Sequence, residues 1–153
     1  MREQHDKRIE GRRLPILLRH AWYSLNQTFR RRIAHTGVTP DQYTTLRTLW
    51  ESGPDGLTQS ALTRLIASDP NTVASLLERM ERAGWIARER HERDRRAKRI
   101  RLLAAGERKF KRALKIALSL QEEVLSGLTE AQREEFLGNL ELVAERCRAA
   151  ARR

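Results

Sequence analysis

Residues 57–84 read LTQSALTRLIASDPNTVASLLERMERAG, and the fold turns on this stretch. Thr58 can cap a short helix over Gln59–Ile66, with Leu62, Leu65 and Ile66 facing inward. Only Ala67 and Ser68 intervene before Asp69-Pro70, an N-cap followed by a proline whose missing N–H has no partner to lose at the first helical position. That second helix continues to Ala83 and stops at Gly84, the residue type that most readily turns left-handed at a helix end. Two helices joined by so tight a turn form a helix-turn-helix.

Wound at about 100° per residue, Asn71, Thr72, Ser75, Glu78, Arg79 and Arg82 share an arc of roughly 120°, and Val73, Leu76, Leu77 and Met80 take the other side. The polar arc combines an amide, two hydroxyls and guanidinium groups, which read base edges in a major groove or grip phosphate. In isolation it reads equally well as a solvated helix face. Its place on the second helix of the pair favours the groove.

After Gly84 the pattern becomes extended. Trp85–Arg90 and Arg99–Leu103 read as two strands joined by the charged loop His91–Lys98, a two-stranded hairpin. Residues 88–101, RERHERDRRAKRIR, hold eight Lys or Arg against three acids, more positive charge than a solvated hairpin needs. Arg93, Arg95, Arg96 and Lys98 lie where cations enter a narrow minor groove, whose negative potential is deepest over AT-rich tracts. Phosphate repels an acid there, so Asp94 is assigned to holding the loop through a neighbouring Arg.

Upstream, residues 1–13 are polar and read as a loose arm or as an extension of the first helix. From Leu14 the positions Leu14, Leu18, Ala21, Trp22, Leu25 and Phe29 recur at helical spacing up to Gly37. Thr39-Pro40-Asp41-Gln42 forms a capping box that starts a helix running to about Glu51, and Ser52–Gly56 is a turn. Downstream, a long helix runs from about Glu107 to Gly127. Thr129 and Gln132 open a last helix carrying Phe136, Leu137, Leu140, Val143 and Cys147 on one apolar side, where Cys147 is expected to be buried and inert. The fold class is therefore mainly α, a winged helix-turn-helix with a two-stranded wing, in one domain of 153 residues.

The 31 Lys and Arg against 20 Asp and Glu give a net charge of +11, which makes a polyanion the default partner. Nucleic acid is preferred to membrane, because no apolar run approaches the roughly 20 residues needed to span a bilayer. No secretory signal is read at the N-terminus, and the single Cys147 fits a reducing compartment, so a cytoplasmic location is expected. His5, His20, His35 and His91 are scattered. No metal spacing, nucleophile motif or phosphate-binding glycine loop is present, so neither an enzyme nor a cofactor or metal is expected.

Helix, helix, helix-turn-helix, wing and two further helices follow in an order that, with Leu57-Thr58-Gln59, Asp69-Pro70-Asn71-Thr72-Val73 and Asp94-Arg95-Arg96-Ala97-Lys98-Arg99-Ile100-Arg101-Leu102, resembles the MarR family over nearly the whole chain. The resemblance implies that Arg96 enters the minor groove, that Asp94 braces the wing, and that Thr58 and Gln59 join the DNA-facing set. It also implies a homodimer, with residues 1–36 and 105–153 as dimerisation helices around a DNA-binding lobe at 38–104. Apolar positions agree: Leu14, Leu17, Leu18, Leu120, Val124, Leu128, Phe136, Leu137, Leu140 and Val143 are more than a lone helical arm can hide. The expected function is a sequence-specific regulator of double-stranded DNA, a repressor of a pseudo-palindromic operator. Release by a small aromatic or anionic ligand is implied by the resemblance alone, with Arg19, His20, Trp22, Tyr23, Tyr43 and Trp50 as candidate lining. The alternative is a constitutive architectural protein that binds nucleic acid with little sequence choice. One departure stands out: the family commonly follows the wing with Thr-Pro-x-Gly, whereas this chain has Leu103-Ala104-Ala105-Gly106, which removes a cap and leaves the start of the next helix open.

Overall fold

The computed structural model describes residues 13–90 and 98–152. Helix α1 spans Leu14–Ile33, followed by a 3-10 turn at Ala34–Thr36, and α2 spans Pro40–Glu51. Strand β1 is Leu57–Thr58, α3 is Gln59–Leu65, α4 is Pro70–Arg82, β2 is Ile86–Arg90 and β3 is Lys98–Leu102. Helices α5, Ala104–Val124, and α6, Glu130–Ala150, complete the described chain. It divides into two compact units, residues 1–116 and 117–153.

The helix starts follow from local chemistry. Thr39 and Gln42 close a reciprocal capping box, the Thr39 N–H donating to Gln42 Oε1 at 2.9 Å and the Gln42 N–H to Thr39 Oγ1 at 3.3 Å. Thr129 and Gln132 repeat it at α6. Thr58 Oγ1 accepts from the Ala61 N–H, capping α3. At the end of α4 the N–H of Gly84 donates to the Glu81 carbonyl and that of Trp85 to the Met80 carbonyl, the paired bonds of a Schellman motif around a Gly84 φ of 73°.

The core of the first unit is the apolar stripe of each element turned to one place. Ile33, Leu46, Leu49, Leu62, Val73, Leu77, Met80, Ile86, Ile100 and Phe110 are almost wholly buried. Each such side chain contributes about 1.5–3 kcal/mol by leaving water. In α3 the inward set is narrower than expected: Leu62 is buried and Ile66 half-buried, but Leu65 is 64% exposed. It ends a short helix, past the point where the core can cover it.

The expected two-stranded wing, β2–β3, is present, and β1 extends it to a three-stranded antiparallel sheet in the order β1-β3-β2. Leu57 pairs with Ile100 and Thr58 with Arg99, so the short segment before α3 adds a strand to the wing's inner edge. Gly56 permits this approach, because a Cβ on it would lie 2.0 Å from the Ile100 carbonyl oxygen. Strand β2 starts one residue later than expected and ends as expected, and β3 lies one residue earlier at both ends. Helix α5 begins at Ala104 and not near Glu107, with the Glu107 N–H donating to the Leu103 carbonyl, so the missing Thr-Pro does not delay it.

In the second unit Arg133 ties α6 to the preceding turn. Its Nε donates to the carbonyls of Leu125 and Leu128, and its Nη1 lies 2.7 Å from Glu122 Oε2. Helix α6 has no buried residue in the lone chain, and Cys147, expected in the interior from its spacing, is exposed.

Candidate nucleic-acid interface

The reading helix α4 is held by its apolar side and presents the other. Val73, Leu76, Leu77 and Met80 are buried, whereas Asn71, Thr72, Ser75, Glu78, Arg79 and Arg82 are all exposed. Asp69 starts it: one carboxylate oxygen accepts from the backbone N–H groups of Asn71 at 3.1 Å and Thr72 at 3.0 Å. Hydrogen bonds from the Thr72 side chain and backbone hold that carboxyl below its ordinary range. The cap engages the Thr72 side chain and leaves that of Asn71 as an exposed polar group of the first turn.

Thr58 and Gln59 are half-buried at the start of α3. The Thr58 hydroxyl is already engaged as the α3 cap and lies 3.3 Å from Ser60 Oγ. Lys98 is exposed at the start of β3, opposite the exposed Arg90 on β2. Arg93, Asp94, Arg95 and Arg96 lie outside the described residues.

Two ion pairs in this region escaped the sequence reading. Arg88 Nε and Nη2 lie 2.8 and 2.6 Å from Glu81 Oε2, joining β2 to the last turn of α4. That hydrogen bond holds the Glu81 carboxyl below its usual range, and the charges of Arg88 and Lys98 act in the same direction. On the wing itself Arg101 Nη1 lies 3.3 Å from both Glu89 oxygens. No sequence spacing announces either pair, because each depends on how strand and helix come together.

The candidate ligand residues fall into two groups, Tyr43 and Trp50 against Phe110 and the others exposed along α1. Tyr43 is 7% exposed, with its ring centroid 4.9 Å from that of Phe29 and 5.8 Å from that of Phe110, so it belongs to the core. Trp50 rests on Phe110 at 5.4 Å with its outer side open. Arg19, His20, Trp22 and Tyr23 are exposed along α1. A surface depression of about 270 Å³ is lined by Arg13, Pro15, Ile16 and Arg19, only the last of which is in the candidate set.

Of the proposed dimer contacts, Leu14, Leu17, Leu18, Val124, Phe136, Leu137 and Leu140 are exposed, and Leu128 and Val143 are half-buried. Leu120 is different: at 3% exposure it is already buried by its own chain and is unavailable to a partner. Among the described residues no group of three or more His, Cys, Asp or Glu is arranged to hold a metal ion, and no helix is long and apolar enough to cross a membrane.

A sequence model of the MarR family matches residues 38–98, from Val38 before α2 to the first residue of β3. The transcriptional regulator HosA of Escherichia coli O127:H6 (strain E2348/69 / EPEC) is 31% identical over 122 residues, covering 76% of this chain and 89% of HosA. Among solved structures, S. aureus MepR in complex with DNA superposes with a TM-score of 0.78 at 26% identity, over 86% of this chain and 96% of that one. A crystal structure of MarR gives a TM-score of 0.77 at 26% identity, over 90% and 92% of the two chains.

Proposed function

The chain belongs to the MarR family of DNA-binding transcriptional regulators, and on that premise we propose that it works as a homodimeric repressor of a pseudo-palindromic operator. The observation that carries the reading is the outward face of α4. Asn71, Thr72, Ser75 and Arg79 stand exposed on a helix whose opposite side is locked in the core. Donors and acceptors on a rigid element can discriminate base edges, which mobile charges cannot.

In this reading Asn71, Thr72, Ser75 and Arg79 choose the site, while Lys98 with Arg93, Arg95 and Arg96 of the loop anchors it and Asp94 supports the loop. Residues 38–104 form the DNA-binding lobe, and 1–36 with 105–153 form the dimerisation region. Two lobes related by a two-fold axis present their reading helices to half-sites about one helical turn apart, roughly 34–36 Å. A small aromatic or anionic effector would be taken up on α1, where Trp22 and Tyr23 stand exposed beside Arg19 and His20.

Selection from a pool of random duplexes, followed by affinity measurement at fixed physiological salt, tests the reading. A repressor binds its selected site at least about a thousandfold more tightly than random duplex. Equal affinities would overturn it and leave the architectural alternative, in which charge binds without choosing.

A further inference from the structure

We propose that Glu81 and Arg88 are positioning residues whose ion pair sets the angle at which the wing leaves the reading helix, and with it the choice of base pairs flanking each half-site. The proposal rests on the DNA-binding reading above and adds to it a device that neither the reading helix nor the wing contains alone.

The β2–β3 ladder sorts the side chains of the wing onto two faces. Ile86 pairs with Leu102, Arg88 with Ile100 and Arg90 with Lys98. Directly opposite residues share a face, as do residues two apart, so all six side chains lie on the same side of the wing. Along that side the environment changes in steps. Ile86 and Ile100 are buried, Leu102 and Arg88 are half-buried, and Arg90 and Lys98 are exposed. Arg88 therefore stands where the wing runs off the apolar core.

At that point the contact to the lobe changes from apolar packing to charge. Two guanidinium nitrogens of Arg88 close on a single oxygen of Glu81, which lies on the last turn of the reading helix. The planar guanidinium holds its direction as well as its distance, which a single hydrogen bond would not. The Arg88 side chain retains 20% of its exposure and that of Glu81 37%, so water competes only partly for the pair. The Schellman turn anchors the backbone at Trp85, three residues before Arg88, and β1 holds β3 at Ile100 and Arg99, so the Glu81–Arg88 pair braces β2 from the reading helix at the outer limit of this backbone support. A change of tilt there is carried outward to Arg90 and Lys98.

Wild type, E81Q, R88Q and the double variant are each selected on random duplexes at the same salt concentration. Both single variants are expected to flatten the flanking preference about three- to tenfold and to keep the central preference, with the double variant no worse than either. Charge cannot imitate this result. E81Q removes a negative charge and raises non-specific affinity, whereas R88Q removes a positive charge and lowers it, so a shared loss of flanking discrimination has to come from geometry. R88K, which keeps the charge but not the two-nitrogen grip, is expected to behave as R88Q does. Partial unfolding lowers the bound fraction without altering the preferences of the molecules that bind. Flanking preferences equal to wild type, losses that add in the double variant, or central and flanking preferences falling together would each overturn the proposal. A wild-type protein without any preference would overturn the functional reading itself, before any variant is compared.

Discussion

The ammonium of Lys109 donates to the backbone carbonyl of Thr36 at 2.7 Å, joining the start of α5 to the end of the 3-10 turn across 73 positions of sequence. The same ammonium lies 5.5 Å from the centroid of the Trp85 ring, at the base of the wing. One side chain thus ties three segments that share no local sequence. Lys109→Met keeps most of the stem's packing but removes the charge. Loss of the charge-assisted hydrogen bond and the cation–π contact is expected to cost about 1–2 kcal/mol in urea unfolding. A change below about 0.5 kcal/mol would show that water replaces both contacts.

Gly106 reverses a propensity rule. Alanine in a helix is ordinarily worth about 1 kcal/mol more than glycine. Here a Cβ would lie 2.2 Å from the Trp85 carbonyl oxygen and 2.9 Å from Leu102 Cδ1. Backbone cannot yield as a side-chain end can, so Gly106→Ala is expected to destabilise by about 1–3 kcal/mol. A variant that melts higher than wild type would mean that α5 shifts freely along the base of the wing.

These two sites mark the border of what the sequence discloses. Thr39, Thr58, Asp69 and Thr129 were legible as caps because a cap is made by residues three apart in one chain segment. The outward arc of α4 was legible for a similar reason, since helical period sorts its faces. Strand β1 was not, because two residues carry no period and their pairing depends on Gly56 meeting Ile100. Tyr43 and Leu120 are covered by their own chain, which the sequence does not disclose, because aromatic or apolar character marks a residue for burial without saying whether its own chain or another molecule covers it. The Glu81–Arg88 pair lies beyond any local rule, because strand and helix must dock before the two side chains meet.

Ala67, in the turn between α3 and α4, has a φ of 53°, the left-handed region that disfavours a Cβ. It is the only non-glycine residue with positive φ among the described residues. The conformation costs an L-residue about 1–2 kcal/mol, while glycine's greater chain entropy offsets roughly half of the gain from relieving it. Ala67→Gly is expected to stabilise by about 0.5–1 kcal/mol, raising Tm by roughly 2 °C. Ala67→Val is expected to lower Tm. The opposite order in calorimetry would place the turn in another conformation.

Reading helix and wing predict different defects in DNA binding. Arg79 is exposed on the polar arc, so Arg79→Ala is expected to relax discrimination at one base pair by about 1–3 kcal/mol. An unchanged preference matrix would assign Arg79 to phosphate or solvent. For the loop, the proposed function assigns Arg96 to the minor groove, so Arg96→Ala is expected to weaken binding more than Arg93→Ala. Equal losses in a titration at fixed salt would mean that the register of the loop is wrong.

Oligomeric state is the remaining test, and it depends on surface that the lone chain leaves in water. Phe136, Leu137 and Leu140 on α6 and Leu14, Leu17 and Leu18 on α1 are exposed large apolar residues. They recur along helices and do not cap a core, as expected of faces that meet a second copy. In a two-fold interface each substitution acts twice, so losing one buried leucine costs the dimer about 3–6 kcal/mol, and placing a charge there adds to the loss. Leu140→Glu is therefore expected to be monomeric at micromolar concentration in sedimentation, with its helical circular dichroism retained. Its affinity for a complete operator should fall towards that for an isolated half-site, because the second reading helix is no longer tethered to the first. A Leu140→Glu protein that sediments as a dimer and binds the full site normally would remove α6 from the interface.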